Sequence, residues 1–137
     1  NEEKVIIYLN KYTLDMKGVP LEISNCLKYK KSNYRFCYYD FFNSECICEL
    51  KSRRNSYNKY PTTMVSKSKI DKSIKDKKII KFYFLFTDGL YCYTFNQEDK
   101  LEYKKGGRKD RNKYEYNDYC YIPIELLHFI TDTIKSI

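Results

Sequence analysis

The chain has 137 residues, of which 42% are hydrophobic and 18% aromatic, and its formal net charge is +8 at pH 7. This length favours one domain over residues 1–137, and the apolar content excludes a wholly disordered chain. The longest apolar runs, such as residues 82–86, are too short to cross a bilayer, so we expect no membrane partner.

The first half of the chain begins with a predicted helix, which two strands follow. Residues 2–12 have apolar side chains at helical spacing, and residues 34–42 are rich in aromatic residues that favour an extended chain. Asn43 and Ser44 are typical turn residues, and residues 45–52 form the predicted partner strand. We therefore expect an N-terminal helix and then a β-hairpin.

The middle of the chain predicts a second helix and a second strand pair. A threonine at position 62 or 63 is a suitable N-cap for a helix that ends near Lys75. Residues 79–86 are almost all apolar, as in a strand that is buried on both faces. Asp88-Gly89 then predicts a hairpin turn into a strand over residues 90–95.

The last third of the chain is more polar. Residues 97–117 are charged and are predicted to form a loop, and residues 119–122 a short strand. Pro123 suits the first turn of a closing helix. This order of elements predicts a mixed α/β (α+β) fold with a central mixed sheet of at least four strands, flanked by helices.

The positive charge is concentrated in one segment. Residues 51–81 contain eleven Lys or Arg and two Asp, a local charge of +9, whereas the rest of the chain sums to −1. A basic block of this kind indicates a polyanionic partner, most often nucleic acid. The alternative is a solvated lysine-rich face, and a phospholipid surface is less favoured because the block has no strong apolar stripe.

The cysteine pattern does not predict a metal site. The chain has six cysteines and one histidine but no CxxC pair, and structural zinc sites usually have paired ligands at short spacing. Cys46 and Cys48 alternate along the predicted strand with their side chains on the core side. We expect reduced core thiols in an intracellular protein, and we expect His128 to pack in the closing helix rather than act as a catalytic base.

Three charged residues in the predicted hairpin can carry chemistry. Strand alternation places Glu49 and Lys51 on one face, about 6–7 Å apart along the chain, and the turn folds Asp40 back beside them. Carboxylates hold Mg²⁺ or Mn²⁺, which polarises a phosphate and activates a bound water, while a lysine orients that water or offsets the charge on the phosphorane. The trio therefore indicates metal-assisted phosphodiester hydrolysis, with an exposed cross-strand ion pair as the alternative.

The trio also has the spacing of a known motif. An acidic residue, a hairpin-sized gap and then Glu49-Leu50-Lys51 resembles the PD-(D/E)XK nuclease superfamily, although Tyr39 stands where the named motif has proline. The resemblance implies a restriction-endonuclease-like core and a Mg²⁺ or Mn²⁺ cofactor. It also implies that Asp40 and Glu49 are metal ligands and that Lys51 is catalytic.

The resemblance extends beyond the trio. Members of the superfamily often add a carboxylate from the first helix, which makes Glu3, or alternatively Glu2, a candidate further metal ligand. Over most of residues 2–127 the chain also resembles small nuclease-like proteins of large DNA viruses of eukaryotes. The stretches that carry this likeness are Glu49-Leu50-Lys51-Ser52-Arg53, Lys59-Tyr60-Pro61-Thr62-Thr63-Met64, Phe86-Thr87-Asp88-Gly89-Leu90-Tyr91 and Gly106-Gly107-Arg108-Lys109-Asp110-Arg111.

Basic residues near the trio are candidates for contacts with nucleic-acid phosphates. Those on the basic segment are Arg53, Arg54, Lys59, Lys67, Lys69 and Lys72. Lys69 and Lys72 are three residues apart and share a predicted helix face, so the two can grip one backbone strand. Arg108 and Arg111 flank the predicted glycine turn and are candidates for a phosphate clamp, with a plain flexible turn as the alternative.

These observations support three functions. The first is a metal-dependent endonuclease or exonuclease that acts on DNA. The second is a nucleic-acid-binding module that keeps the fold without turnover, and the third is an RNA endonuclease of the viral cap-snatching type. DNA is favoured over RNA, a homodimer is compatible with the sequence, and a viral protein of this kind is expected inside an infected cell, in the cytoplasm or nucleus, rather than secreted.

Overall fold

The computed structural model describes residues 1–13, 27–32, 37–106 and 117–132, and within them the strands form two sheets. Helix α1 spans Glu2–Tyr8 and continues as a π-helical turn over Leu9–Thr13, helix α2 spans Lys67–Lys75, and a 3-10 turn spans Ile124–Leu126. The strands are β1 Lys30–Lys31, β2 Phe41–Phe42, β3 Cys46–Ser52, β4 Thr62–Ser66, β5 Ile79–Phe86, β6 Gly89–Thr94, β7 Glu102–Gly106, β8 Asn117–Pro123 and β9 His128–Thr131.

The larger sheet is mixed and has the strand order β1-β2-β3-β5-β6-β9. Strand β3 runs antiparallel to β2 on one side and parallel to β5 on the other. Two parallel neighbours need a crossover connection, which β4 and α2 provide. A mixed sheet with flanking helices confirms the predicted fold class and is consistent with a restriction-endonuclease-like core.

Each face of the larger sheet has its own cover. The side chains of Cys46, Cys48 and Leu50 face the first helix and pack in a cluster with Val5 and Leu9. On the opposite face, strand alternation turns the intervening β3 residues toward a second cluster. That cluster combines β3 and β5 residues with residues of α2, β4 and β8. The smaller sheet, of order β4-β8-β7, therefore packs together with α2 on the face that α1 does not cover.

Gly89 adapts the β5–β6 hairpin to its neighbour. The predicted turn is present, but its two turn residues are Thr87 and Asp88, and Gly89 is the first residue of β6. A Cβ atom on Gly89 would lie 3.0 Å from the backbone oxygen of Thr131 and 3.2 Å from the Phe129 ring. The glycine thus permits the close approach of β9, where a larger residue would displace its neighbours by a few tenths of an ångström.

Two helix predictions are wrong. Residues 62–66 form strand β4 rather than the first turns of a helix, and α2 begins at Lys67 with Ser66 as its N-cap residue. The reason is that β4 pairs with β8 over five residues and buries Val65 in the core. After Pro123 the chain makes one 3-10 turn and then pairs with β6 as β9, so no closing helix forms there and His128 is exposed on a strand.

The predicted charged loop also differs from the structure. Its residues Glu102–Gly106 form β7, which pairs with β8 at the edge of the smaller sheet. An edge strand accepts charged side chains because they point into water, so the charge did not exclude a strand. Residues 14–26, 33–36, 107–116 and 133–137, with the extended segment predicted at 34–36 and the arginines Arg108 and Arg111, lie outside the described residues.

No helix within the described ranges is long and apolar enough to cross a membrane.

The core positions predicted for two cysteines are confirmed, and they permit a stability test. Cys46 and Cys48 are 5% and 0% exposed, and their Sγ atoms lie 3.7 Å apart as free thiols. We expect the double change to Ser to lower the free energy of unfolding by about 1–3 kcal/mol, because hydroxyls are costlier to bury than thiols. Urea unfolding followed by circular dichroism measures the loss, and the half-exposed Cys37→Ser should change stability by less than about 0.5 kcal/mol.

A loss in the double variant no larger than in Cys37→Ser would contradict the assignment of these two thiols to the core. We also expect the double variant to keep metal-dependent activity wherever it folds, since sulfur is a poor ligand for a hard cation. Stoichiometric zinc that is lost with the two thiols would contradict the expected Mg²⁺ or Mn²⁺ site.

Candidate metal and nucleic-acid site

The turn between β2 and β3 is built by one asparagine. The Asn43 Oδ1 atom accepts hydrogen bonds from the backbone N–H groups of Glu45 and Cys46, both at 2.9 Å, and the Asn43 N–H donates to the Cys46 carbonyl at 3.0 Å. Asparagine favours such turns because its short side chain replaces a backbone acceptor. The turn fixes the register of β3 against β2 and so aligns the candidate residues on both strands.

Asp40 precedes β2 and lies beside β3. Its backbone N–H donates to the Cys48 carbonyl at 2.8 Å, and its Oδ2 atom accepts a hydrogen bond from the Leu50 N–H, also at 2.8 Å. The carboxylate thus replaces a strand partner where the short β2 ladder ends. This bond holds the Asp40 side chain at the level of Glu49 and Leu50.

Glu49 is the buried charge of the site. Its side chain is only 5% exposed, and its Oε1 atom lies 2.8 Å from Lys69 Nζ and 3.5 Å from Lys51 Nζ. A buried carboxylate carries a desolvation cost of several kcal/mol, which nearby cations offset. The alternative of an exposed cross-strand ion pair is therefore wrong for Glu49.

The other oxygen of the same carboxylate has no hydrogen-bond partner in the part of the chain that the structure describes. Glu49 Oε2 is buried and, among the described residues, accepts no hydrogen bond. An unsatisfied carboxylate oxygen is costly to bury, and carboxylate oxygens are the ligands that hard divalent cations prefer. The donor chemistry of Glu49 therefore fits a metal such as Mg²⁺ or Mn²⁺.

The first helix does not bring its carboxylates to Glu49. Glu3 is 77% exposed and pairs with Lys31 at 3.5 Å, and α1 covers the face of the sheet opposite Glu49. In the ranges that the structure describes, no group of three or more His, Cys, Asp or Glu side chains could hold a metal ion. Because Mg²⁺ commonly uses one or two carboxylates and completes its shell with water and phosphate oxygens, a two-carboxylate site is compatible with the metal.

Arg53 is half-buried, and its guanidinium is engaged within the protein. Its guanidinium donates to the Met64 carbonyl at 2.8 Å and lies 5.9 Å from the centre of the Phe84 ring. Burial lowers the pKa of Arg53, and the charge of Glu49 partly opposes that shift. The side chain ties the end of β3 to β4, so its availability to a phosphate is limited.

The remaining basic candidates differ in what they contact. Arg54, Lys59 and Lys72 are exposed, and Lys72 Nζ lies 5.6 Å from the centre of the Tyr38 ring. Burial and a hydrogen bond to Asp76 raise the pKa of Tyr38, so its ring is neutral. Lys67 pairs with Asp71 one helical turn away at 2.9 Å. Lys67 and Lys72 thus lie on the surface of α2.

Lys69 is the contact that sequence reasoning missed. The sequence predicts a phosphate contact for Lys69, but its Nζ atom lies against Glu49 Oε1 and also donates to the Tyr38 carbonyl at 2.7 Å. Twenty residues separate Lys69 from Glu49, and thirty-one separate it from Tyr38. No local pattern signals such a pair, since only the crossover of α2 over the sheet brings them together.

A second Glu-x-Lys sequence provides an internal comparison. Glu102 and Lys104 on β7 also form an ion pair, at 3.6 Å, but their side chains are 67% and 55% exposed. The two motifs share their spacing and their ion pair. Burial distinguishes them, because only the carboxylate of Glu49 is removed from water.

Comparison of the sequence with models of protein families shows which family the chain belongs to. Residues 24–130, well over half of the chain, match the family model described as "Phage putative PDDEXK endonuclease". The chain belongs to this family. The predicted resemblance to PD-(D/E)XK nucleases is thereby confirmed. The likeness to proteins of eukaryotic viruses stays a prediction.

The PDDEXK family match covers the hairpin, the crossover and β5, but not α1. Its name describes endonucleases, so membership indicates a nuclease with a nucleic-acid substrate, and nucleases of the PDDEXK type are generally dependent on divalent metals. No match to the chain is found among curated proteins or among solved structures.

Proposed function

We propose that residues 1–137 form one nuclease domain that hydrolyses DNA phosphodiesters with Mg²⁺ or Mn²⁺. The observation that carries the proposal is the Glu49 carboxylate, which is buried between two lysines and has one oxygen that no described residue contacts by a hydrogen bond. A structural ion pair would satisfy both oxygens, because an unpaired buried acceptor costs about 1–3 kcal/mol. A site that binds a cation keeps such an oxygen available.

Each residue of the trio has a separate role in this proposal. Glu49 and Asp40 supply the carboxylate oxygens that hold the metal, and the bond from the Leu50 N–H fixes the orientation of Asp40. When bound, the metal supplies charge that polarises the phosphate and acidifies a water. Lys51, whose side chain is 33% exposed, donates a hydrogen bond to a phosphate oxygen and so stabilises the negative charge that grows there.

The main rival is a nucleic-acid-binding module without turnover. It is favoured by the finding that no three potential ligands converge within the described parts of the chain. An RNA endonuclease is the second rival, because lysines contact the same phosphates in DNA and RNA. Both alternatives would use the same basic surface to bind nucleic acid. The binding module would leave the nucleic acid intact, whereas the RNA endonuclease would cleave RNA.

One experiment separates the three. Supercoiled plasmid, linear duplex, single-stranded DNA and RNA are incubated with the protein over a range of Mg²⁺ or Mn²⁺ and with a chelator. We expect the DNA substrates to be cleaved with metal only, and nicked plasmid would identify an endonuclease. The Glu49→Gln protein, purified in the same way, controls for contaminating nucleases. Binding without cleavage would identify the protein as a binding module, and preferred cleavage of RNA would identify it as an RNA endonuclease.

Half-exposed Lys67 and exposed Lys72 on α2 are expected to control affinity for nucleic acid. Replacing Lys67 and Lys72 together by Gln should weaken duplex binding and reduce the slope of log affinity against log salt by about 0.9 per lost phosphate contact. Fluorescence anisotropy in chelator measures the slope without cleavage. The matched control is the double change of Lys4 and Lys11 to Gln, since both lysines are exposed on the opposite side of the sheet. Equal slopes in the two double variants would move the binding surface away from α2.

A further inference from the structure

The lysine that reaches Glu49 from the crossover helix has a role that differs from that of a phosphate contact. Lys69 Nζ has two acceptors, Glu49 Oε1 at 2.8 Å and the Tyr38 carbonyl at 2.7 Å. An ammonium group has three donors, so two are already committed within the protein. Its side chain is 26% exposed, less than that of Lys51. Such a group is poorly placed to take a phosphate from solvent.

The two acceptors belong to separate elements. Tyr38 precedes β2, Glu49 lies on β3, and Lys69 itself lies on α2. The ammonium group therefore ties the helix to both sides of the hairpin and holds one carboxylate oxygen in place. The other oxygen, Oε2, is the one that accepts no hydrogen bond within the described ranges.

We propose that Lys69 is a positioning residue for the metal site, which holds Glu49 Oε1 so that Oε2 stays free for the divalent cation. This inference rests on the proposed nuclease function. Replacing a residue that hydrogen-bonds to a metal ligand typically weakens metal affinity by about 10–100-fold. Lys69 acts through Glu49 and is not required to touch the metal or the substrate.

The alternative roles of Lys69 predict different changes in metal affinity when the lysine is removed. If it were only a nearby positive charge, its removal would strengthen the binding of a cation at Glu49. If it were a phosphate contact, its removal would leave metal binding unchanged and reduce the salt dependence of DNA binding. A positioning role predicts weaker metal binding, because the freed carboxylate can rotate and Lys51 Nζ, now 3.5 Å from Oε1, can take the oxygen that the metal needs.

The test compares Lys69→Met with Lys72→Met. Lys72 lies on the same helix three residues later, is exposed and contacts the Tyr38 ring rather than Glu49. Calorimetric titration of each protein with Mn²⁺ measures metal affinity without substrate, and anisotropy in chelator measures the salt dependence of DNA binding. For Lys69→Met we expect the Mn²⁺ dissociation constant to rise at least about tenfold, with the salt slope unchanged. For Lys72→Met we expect an unchanged Mn²⁺ dissociation constant and a smaller salt slope.

Two further variants guard against misfolding. Lys69→Arg keeps the charge and donors for both acceptors, so we expect Mn²⁺ affinity within about threefold of the wild type. Lys69→Gln removes the charge but keeps a donor, and it replaces the Met variant if that variant does not fold; its Mn²⁺ affinity should also fall. Thermal unfolding of each protein identifies variants that are folded.

The outcomes separate this inference from the function on which it rests. Wild-type protein that binds no Mn²⁺ would overturn the proposed metal site, and the role of Lys69 with it. Wild-type protein that binds Mn²⁺, together with a folded Lys69→Met protein that binds it equally well or better, would overturn the positioning role alone.

Discussion

Glu49→Gln is expected to reduce metal-dependent DNA cleavage by on the order of a thousandfold, because it removes the charge that holds the cation and several kcal/mol of transition-state stabilisation with it. The amide keeps the shape of the side chain and still offers an oxygen to Lys69, so the fold should persist. Single-turnover cleavage of plasmid measures the rate, and calorimetry with Mn²⁺ should show weaker binding.

The chain contains a matched control for this variant. Glu102→Gln removes the same charge from a Glu-x-Lys sequence on another strand, where the carboxylate is exposed. We expect its cleavage rate to stay within about twofold of the wild type, as for ordinary surface changes. Cleavage at the wild-type rate by the Glu49 variant would refute the site, whatever the control does. Circular dichroism of both proteins checks that any loss is not a loss of fold.

The second large effect is expected from the lysine of the same motif. Lys51→Met should lower the rate of the cleavage step by about a hundredfold or more, which is the usual effect of removing one donor that stabilises a developing negative charge. Metal binding should remain within about twofold, because Lys69 still holds the Glu49 carboxylate. The measurements are single-turnover rates at saturating Mn²⁺ and the Mn²⁺ dissociation constant.

Lys104→Met is the control for the second variant. Lys104 also lies two residues after a glutamate and pairs with it at a similar distance, 3.6 Å against 3.5 Å. It is more exposed and lies on β7, away from the β2–β3 hairpin. A Lys51 variant that loses Mn²⁺ affinity as strongly as Lys69→Met would show that the two lysines share one role. Equal cleavage by the Lys51 and Lys104 variants would remove Lys51 from the reaction.

The sequence predicted those elements whose patterns are local. Strand β5 has the predicted bounds, since eight nearly continuous apolar and aromatic residues specify a central strand wherever it lies. The Asn43 turn, the two-residue alternation of β3 and the core side of Cys46 and Cys48 also follow from neighbouring residues alone. The same alternation set Glu49 apart from Cys48 and Leu50.

Local patterns failed where pairing with a distant strand competes with propensity. Thr62–Ser66 pairs with β8, which lies far from it in the sequence, and Glu102–Gly106 pairs with the same strand on its other side. The four residues of β9 became a strand because the edge of β6 was available and Gly89 let the chain approach. Backbone hydrogen bonds of this kind outweigh a helix cap or a charged composition.

Some features of the candidate site follow from the local sequence, and others depend on contacts between distant elements. The order of residues alone shows that a Glu-x-Lys pair follows an aspartate across a predicted hairpin, and this pattern was sufficient to indicate the PD-(D/E)XK superfamily. It did not distinguish Glu49-Leu50-Lys51 chemically from Glu102-Tyr103-Lys104, since both place a glutamate and a lysine on one face of a strand. Burial of Glu49 and the contact of Lys69 with one of its oxygens arise from the packing of distant elements, and so does the lack of a partner for the other oxygen among the residues described. Desolvation and long-range ion pairing depend on which elements pack over a strand. The spacing of residues along that strand does not predict which elements those are.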